Sequence, residues 1–399
     1  MRNVDPYYLI GAFILSITTF IILSRKSIST AMFLAAFILG VTTCPLELVL
    51  KDVFMPFIDP KVIALSIATS IIPMIGGLMN RLGYLDKMIK NLKISRRAFM
   101  GIAPAIVGLL PMPGGALLSA PMVEKIGEKD VPSEIVATAN VWFRHVFILI
   151  YPMSTALIIS TEISKISMYT VIPYLFIFAA IAIILGYHSY LRRVPSNFSH
   201  GENAKFIRFL GPLSILLLAP FLDFTLRTTL HLDSAYSVMI GVLASYTVLL
   251  LHGKPSLGDH KTVAIRMKPW EFFLLIIAIY AYLNTFIDSG LPSLIGTSNL
   301  NPLILYIVIP FLLGFATGRV MTPVAILFPV YITQLGYMTP IFFATTYVAI
   351  FMGYIISPVH PCLVVTAEYF KVDVSKIIKH SALQALIVVL VAAIFLFAT

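Results

Sequence analysis

Four side chains that could carry chemistry stand inside apolar runs, where each needs a reason to be. Arg319 follows Gly318 and lies near Thr317 and Thr322. A guanidinium inside a membrane is costly, and its planar fork suits a carboxylate or phosphate. Its other use is to cap carbonyls or pair with a distant acid. Arg144 and His145 close the string Asn140-Val141-Trp142-Phe143-Arg144-His145, just before Tyr151-Pro152. Asn140 and Arg144 are four apart and share a helix face, so they form either a polar wall of a site or a clamp between helices. His145 is either a proton relay or a packed histidine. His360 sits in Ser357-Pro358-Val359-His360-Pro361, whose two prolines nearly force unwound backbone. It can act as ligand, proton carrier or backbone cap. Ser119, Ser154, Thr155 and Thr322 offer hydroxyls for Na⁺ or substrate, although such residues also pack helices together.

Other chemistries lack their residues. There is no His-Glu-x-x-His, no paired Cys-x-x-Cys and no Gly-x-Ser-x-Gly. Cys44 and Cys362 lie far apart in apolar stretches, which gives neither a disulfide framework nor a metal cluster. The expectation is therefore no enzyme, no catalytic residue, no metal and no cofactor beyond a coupling ion. Acids are scarce in the apolar runs: Glu368 reads as interfacial, and Asp223 and Asp288 as ambiguous.

The elements that must position these groups follow from composition. The 399 residues are 59% hydrophobic and only 12% charged, against roughly 25% charged in a soluble domain. That excludes a soluble enzyme, a nucleic-acid binder and a disordered chain, and makes this an all-α polytopic membrane protein. Apolar runs of the length a membrane requires, about 20 residues, fall near 7–24, 28–50, 62–80, 134–161, 167–191, 206–229, 234–252, 270–289, 339–369 and 382–398. The first reads as a retained helix, since it lacks a basic leader and a cleavage site. Two further stretches, 98–123 and 302–333, are interrupted by Pro111-Met112-Pro113-Gly114-Gly115 and by Gly314-Phe315-Ala316-Thr317-Gly318-Arg319. Each is either a kinked span or a re-entrant helical hairpin that reaches mid-membrane and returns.

Charge decides for hairpins. With both stretches re-entrant and the N-terminus outside, 21 of the Lys and Arg residues fall in inside loops and 5 outside, leaving Arg144 and Arg319 within the membrane. A spanning 98–123 would put the basic loop 192–208 outside, against the positive-inside tendency. Most of the net charge of +10 is thus topology and requires no anionic partner. The run Lys87 to Arg97 reads as an interfacial amphipathic helix on the cytoplasmic leaflet, with no nucleic acid implied. The first hairpin tip is expected to be reached from the cytoplasm and the second from outside.

The two halves then share one plan. Residues 1–191 and 207–399 each hold three scaffold spans, a hairpin, a broken transmembrane helix and a last span, joined by a polar linker at 192–206. They enter the membrane from opposite sides, which makes an inverted repeat. Leu109–Ser119 lies over Leu312–Thr322 at an offset of 203, and Tyr151–Ser154 over Ser357–His360 at an offset of 206. Inverted repeats with broken helices are the plan of secondary transporters, with the site where the interrupted helices meet.

The strings Gly108–Val123, Asn140–His145 and Tyr151-Pro152 resemble an uncharacterised prokaryotic integral-membrane family of the ion-transporter superfamily. Its relatives are gluconate permeases, the large membrane subunits of TRAP dicarboxylate transporters, citrate–metal symporters and sodium/proton antiporters. Gly314-x-x-Thr317-Gly318 and Ser357-Pro358 resemble the matching second-half signatures. The resemblance implies a scaffold plus a transport domain, elevator-like motion, a homodimer and the prokaryotic cytoplasmic membrane. The Ser-Asn-Thr tip of the dicarboxylate/sodium branch is absent; Pro-Gly-Gly and Thr-Gly-Arg stand in its place.

The functional expectation is secondary active transport of a small organic anion, coupled to Na⁺ or H⁺. The substrate would meet Pro113, Gly114, Gly115, Asn140, Arg144, Ser154, Thr155, Thr317, Gly318, Arg319, Ser357 and His360. The coupling ion would use Ser119, Thr322, His145 or His360. The alternatives are a cation/proton antiporter, an intramembrane enzyme with His145 and His360 as acid and base, and a channel.

Overall fold

A computed structural model describes residues 5–24, 26–92, 94–110, 115–127, 131–196, 199–200, 206–296 and 301–398. In the first half the helices are α1 (Pro6–Leu23), α2 (Ile28–Thr43), α3 (Leu46–Phe54), α4 (Pro60–Arg81), α5 (Tyr84–Lys90), α6 (Arg96–Gly108), α7 (Ala116–Gly127), α8 (Ser133–Ile148), α9 (Thr155–Ser164) and α10 (Met168–Ser189). The second half continues with α11 (Phe206–Thr229), α12 (Ser234–Gly253), α13 (Leu257–Met267), α14 (Pro269–Asp288) and α15 (Leu291–Gly296). A π turn, Ile304–Val308, leads into α16 (Ile309–Thr317), followed by α17 (Met321–Leu335), α18 (Pro340–Ile355), α19 (Pro361–Phe370) and α20 (Val374–Ala398). The chain is an all-α protein; the one strand pairing described sets Ile94 opposite His200 and Ser95 opposite Ser199.

Among the described residues seven helices are long and apolar enough to cross a membrane: α1, α4, α10, α11, α12, α14 and α20. A multi-pass membrane protein is the result, with fewer uninterrupted spans than sequence predicts. The expected span 28–50 ends at Thr43, because Cys44 before Pro45 takes an extended backbone (φ −119, ψ 160). Proline disfavours helix in the residue ahead of it. The short α3 follows as a separate helix. The expected loop 254–268 instead contains α13, whose start is fixed by a reciprocal cap between Ser256 and Asp259. Arg81 bonds the same Asp259 at 2.9 Å and holds its carboxyl down at about 2. The run from Lys87 to Arg97 is helical to Lys90 and again from Arg96, where Ser95 caps α6 through the Ala98 amide. The last span begins at Val374, not 382, since Lys376 and Lys379 lie on exposed positions of its first turns.

The element order of the first half recurs in the second. At an offset of 206, Leu23 and Thr229 end helices, Ile28 and Ser234 begin them, and Met168 and Val374 begin the last long ones. Ser27 and Asp233 both cap through their side chains. Lys165 and Lys371 both take left-handed backbone, with φ 57 and 53. α9 and α19 match at both ends.

Packing divides the helices into two groups. α1, α2, α14, α4, α12 and α11 each pack on the next in that order, a series that reads the same when first-half and second-half helices are exchanged. The other group is built on α8 and α18, which are buried along most of their length. Here α6 packs on α8 and α16 on α18, while α7 meets α19 and α17 meets α9. The halves are thus interlocked.

Glycine permits the closest approaches in this group. A Cβ on Gly108 would lie 2.2 Å from the Arg144 carbonyl oxygen, and one on Gly314 2.1 Å from that of Ile350. Donor helix and acceptor helix correspond at an offset of 206, so packing places Gly108 over Gly314, not Pro111 as the 203 register has it. Gly108→Ala and Gly314→Ala should each destabilise the fold by about 1–3 kcal/mol through overpacking. Thermal unfolding in detergent checks this against Gly211→Ala, where nothing lies within 4 Å of a new Cβ; equal melting temperatures for all three would contradict it.

Outside the spans, Asp52 on α3 is buried with Asp288 beside it, and burial first, then the second carboxylate, push it up to about 6. Because its folded value lies above the unfolded one, its charged form penalises folding. Stability should therefore fall as pH rises from about 4 to about 6. Asp52→Asn should flatten that slope and raise the melting temperature at pH 7, as a melting series across pH would read.

Candidate functional site

Both expected breaks are present. α8 and α9 are separated at Tyr151–Ser154, and α18 and α19 at Ser357–His360. Short turns satisfy part of the freed backbone: Ser154 N–H donates to the Tyr151 carbonyl (2.9 Å) and His360 N–H to that of Ser357 (3.1 Å). Ser154 and His360 then stand at the N-termini of α9 and α19.

Beside these breaks lies a cavity of about 380 Å³. Arg144 and His145 from the end of α8, Ser154 and Thr155 from the start of α9, and Gly318 and Arg319 from the α16–α17 turn all line it. Tyr354 and Cys362 come from the second broken helix, and Ile28, Phe272 and Leu275 from the row of long helices. Two guanidinium groups face this space, and among the described residues no carboxylate lines it.

Arg144 is buried, and among the described residues its Nε and Nη1 have no hydrogen-bond partner. A Cβ on Gly115 would sit 2.3 Å from its Nη2, so only glycine leaves the guanidinium its position. Arg319 is partly buried and donates from Nη2 to the Ser24 carbonyl at 3.3 Å. It also lines a second cavity of about 320 Å³, together with Ser24, Lys26, Arg266, Lys268 and Glu271. Ile28, Phe272, Leu275 and Arg319 are common to both spaces and form the wall between them. Glu271 is engaged by the hydroxyls of Ser27 and Ser29.

The remaining candidates divide. Gly318 takes φ +59, and a Cβ there would approach His360 N to 3.1 Å. The Thr317 hydroxyl donates to the carbonyl of Leu313 or of Arg319, and that of Ser357 to Phe315, tying the break to α16. The Ser119 hydroxyl donates to the Ala116 carbonyl. Asn140 donates to that same carbonyl and to Thr366, joining α7 to α19, with its Oδ1 unpartnered. Ser119, Thr322, Asn140, Thr317 and Ser357 are not among the cavity's lining residues. Pro113 and Gly114 lie outside the described residues.

His360 is fully buried behind the cavity wall, its ring 4.1 Å from that of Tyr354 and 4.5 Å from that of His145. Cys362 joins them: one donor atom each from His145, His360 and Cys362 lies within 4.8 Å of the others. Sequence reading missed Cys362 and Tyr354. Their apolar surroundings carry no signal, and the partner that gives Cys362 its meaning is in the other half of the chain. Asp223, by contrast, is spoken for in α11 by Arg227 and by the Tyr169 hydroxyl, both at 2.7 Å.

Of the nine buried side-chain atoms without partners among the described residues, five belong to Asn140, Arg144, Thr155 and His360. Buried polar groups in folded proteins are rarely left unpaired, so their concentration at one junction marks a place for a ligand. The fold and site are those of an all-helical, multi-pass membrane protein with a polar junction between interrupted helices. The chain belongs to the family described as "Protein of unknown function (DUF401)", whose profile matches residues 9–398. Among curated proteins none matches the chain.

Proposed function

We propose that the chain is a secondary active transporter of a small, carboxylate-like organic anion, coupled to Na⁺ or H⁺ and working in the prokaryotic cytoplasmic membrane. The observation that carries this reading is the pairing of Arg144 and Arg319 on one cavity that, among the described residues, no carboxylate lines. Uncompensated charge in a low-dielectric interior costs several kcal/mol. An anion supplies the missing partner, with the hydroxyls of Ser154 and Thr155 as further donors. The cation/proton antiporter reading needs an acid where the lining residues offer none.

The common offset of 206 and the exchange-symmetric helix row support an inverted repeat in which α6–α7 and α16–α17 are the re-entrant hairpins. That plan supports membership of the ion-transporter superfamily. In an elevator the row from α1 to α11 would be the scaffold and the interlocked group the moving body; the homodimer is a proposal on the same footing. Lys26, Arg266 and Lys268 line the second cavity. By the positive-inside tendency this is the cytoplasmic vestibule, and the conformation faces inward. Access to Arg319 from outside then belongs to the opposite state.

A thermal-shift screen of the purified chain against mono-, di- and tricarboxylates, with and without Na⁺, tests the reading. A specific anion at a hundredfold excess over its Kd should stabilise the fold by about 2.7 kcal/mol. Arg319→Lys keeps the charge but loses the fork, and it should weaken that anion at least tenfold with melting of the free protein unchanged. Unchanged affinity in Arg319→Lys and Arg144→Gln would discard the anion site.

A further inference from the structure

We propose that His145, His360 and Cys362 form a binding site for a soft, monovalent d¹⁰ cation, Cu(I), at the junction of the two broken helices. One donor atom from each of the three lies within 4.8 Å of the others. The ring hydrogens are already assigned by backbone partners. His145 Nδ1 faces the Val141 carbonyl at 2.6 Å, and His360 Nδ1 faces the Ile355 carbonyl at 3.3 Å. A carbonyl only accepts, so each Nδ1 carries the hydrogen and each Nε2 is left as a bare lone pair. His360 Nε2 is fully buried and has no partner. A histidine held by its Nδ1–H on a backbone carbonyl, with Nε2 free, is the arrangement that orients metal-binding imidazoles.

Cys362 stands two residues beyond His360, in the first turn of α19, and is partly exposed on the cavity. Binding would replace the thiol proton with the metal and release that proton to solvent through the cavity. Charge selects the cation. Arg144 and Arg319 face the same space, and no acid among the described residues lines it. Zn²⁺ with one thiolate leaves a net positive centre beside two guanidinium groups, whereas Cu(I) with one thiolate leaves a neutral one. Thiolate and imidazole donors also suit Cu(I) by softness. The site stands apart from the anion reading, since it uses groups that an anion cannot: lone pairs repel it.

The test uses the full chain with Cys44→Ser, purified under reductant, so that Cys362 is the one thiol. Ag(I) serves as the redox-inert probe, and Cu(I) is offered against a competing chelator. One equivalent of either should bind and should protect Cys362 from alkylation. His360→Ala and Cys362→Ala should each weaken Cu(I) at least tenfold, while Arg319→Ala, on the α16–α17 turn, leaves it unchanged. Zn²⁺ should bind at least tenfold more weakly than Cu(I). The alkylation arm needs no variant at the site and so survives any folding defect in His360→Ala. Absence of a stoichiometric equivalent, or Ag(I) that fails to protect Cys362, overturns the site. Preference for Zn²⁺ overturns the choice of a monovalent ion. Loss of anion binding in Arg319→Ala with metal binding intact separates the two sites.

Discussion

Everything in the interlocked half of this molecule answers to one constraint: backbone freed by a helix break inside a membrane must find partners in protein or ligand. Two breaks, at Tyr151–Ser154 and Ser357–His360, create that demand. Local turns meet some of it, and the Ser357 hydroxyl carries the second break onto the Phe315 carbonyl of α16. For the rest, neighbouring helices must come very close. Gly108 against Arg144 and Gly314 against Ile350 are the places where absent side chains let backbone meet backbone.

The same closeness sets the electrostatics. Most side chains packed between these helices are apolar, and a few polar ones among the described residues are incompletely paired. Gly115 lets the Arg144 guanidinium lie against the α7 turn, and the left-handed Gly318 turns the chain so that Arg319 reaches the wall between two cavities. Some charges elsewhere are paired within the protein. Asp223 holds Arg227, and Asp259 holds Arg81. Five of the nine unpartnered buried side-chain atoms among the described residues belong to Asn140, Arg144, Thr155 and His360, which is what makes the junction a candidate site.

Much of this was legible in the sequence because breaks announce themselves. Pro152, Pro358 and Pro361 mark unwound backbone, and the offset of 206 between Tyr151 and Ser357 carries through to the helix starts at Ile28 and Ser234. Arg144, Ser154, Thr155, Gly318 and Arg319 line one cavity, and an isolated arginine in an apolar run has few places to go. Other features were hidden because hydropathy does not see direction. Ser119 and Thr322 have suitable hydroxyls but lie away from the cavity. Pro45 ends α2 within a run whose hydropathy continues, and Lys376 and Lys379 begin α20 on positions that hydropathy assigns to a loop. Cys362 is brought beside His145, from the other half of the chain, only by the fold.

The most direct measurement of the central claim, that Arg144 and Arg319 hold one anion between them, is a double-mutant cycle on anion affinity with Arg144→Gln and Arg319→Gln. Groups that share a ligand are coupled, by about 0.5–3 kcal/mol in such cycles. The account predicts that the double variant binds no more weakly than the worse single variant by any large factor. Losses that add in full would show two independent sites, and single variants without effect would show that the anion binds elsewhere.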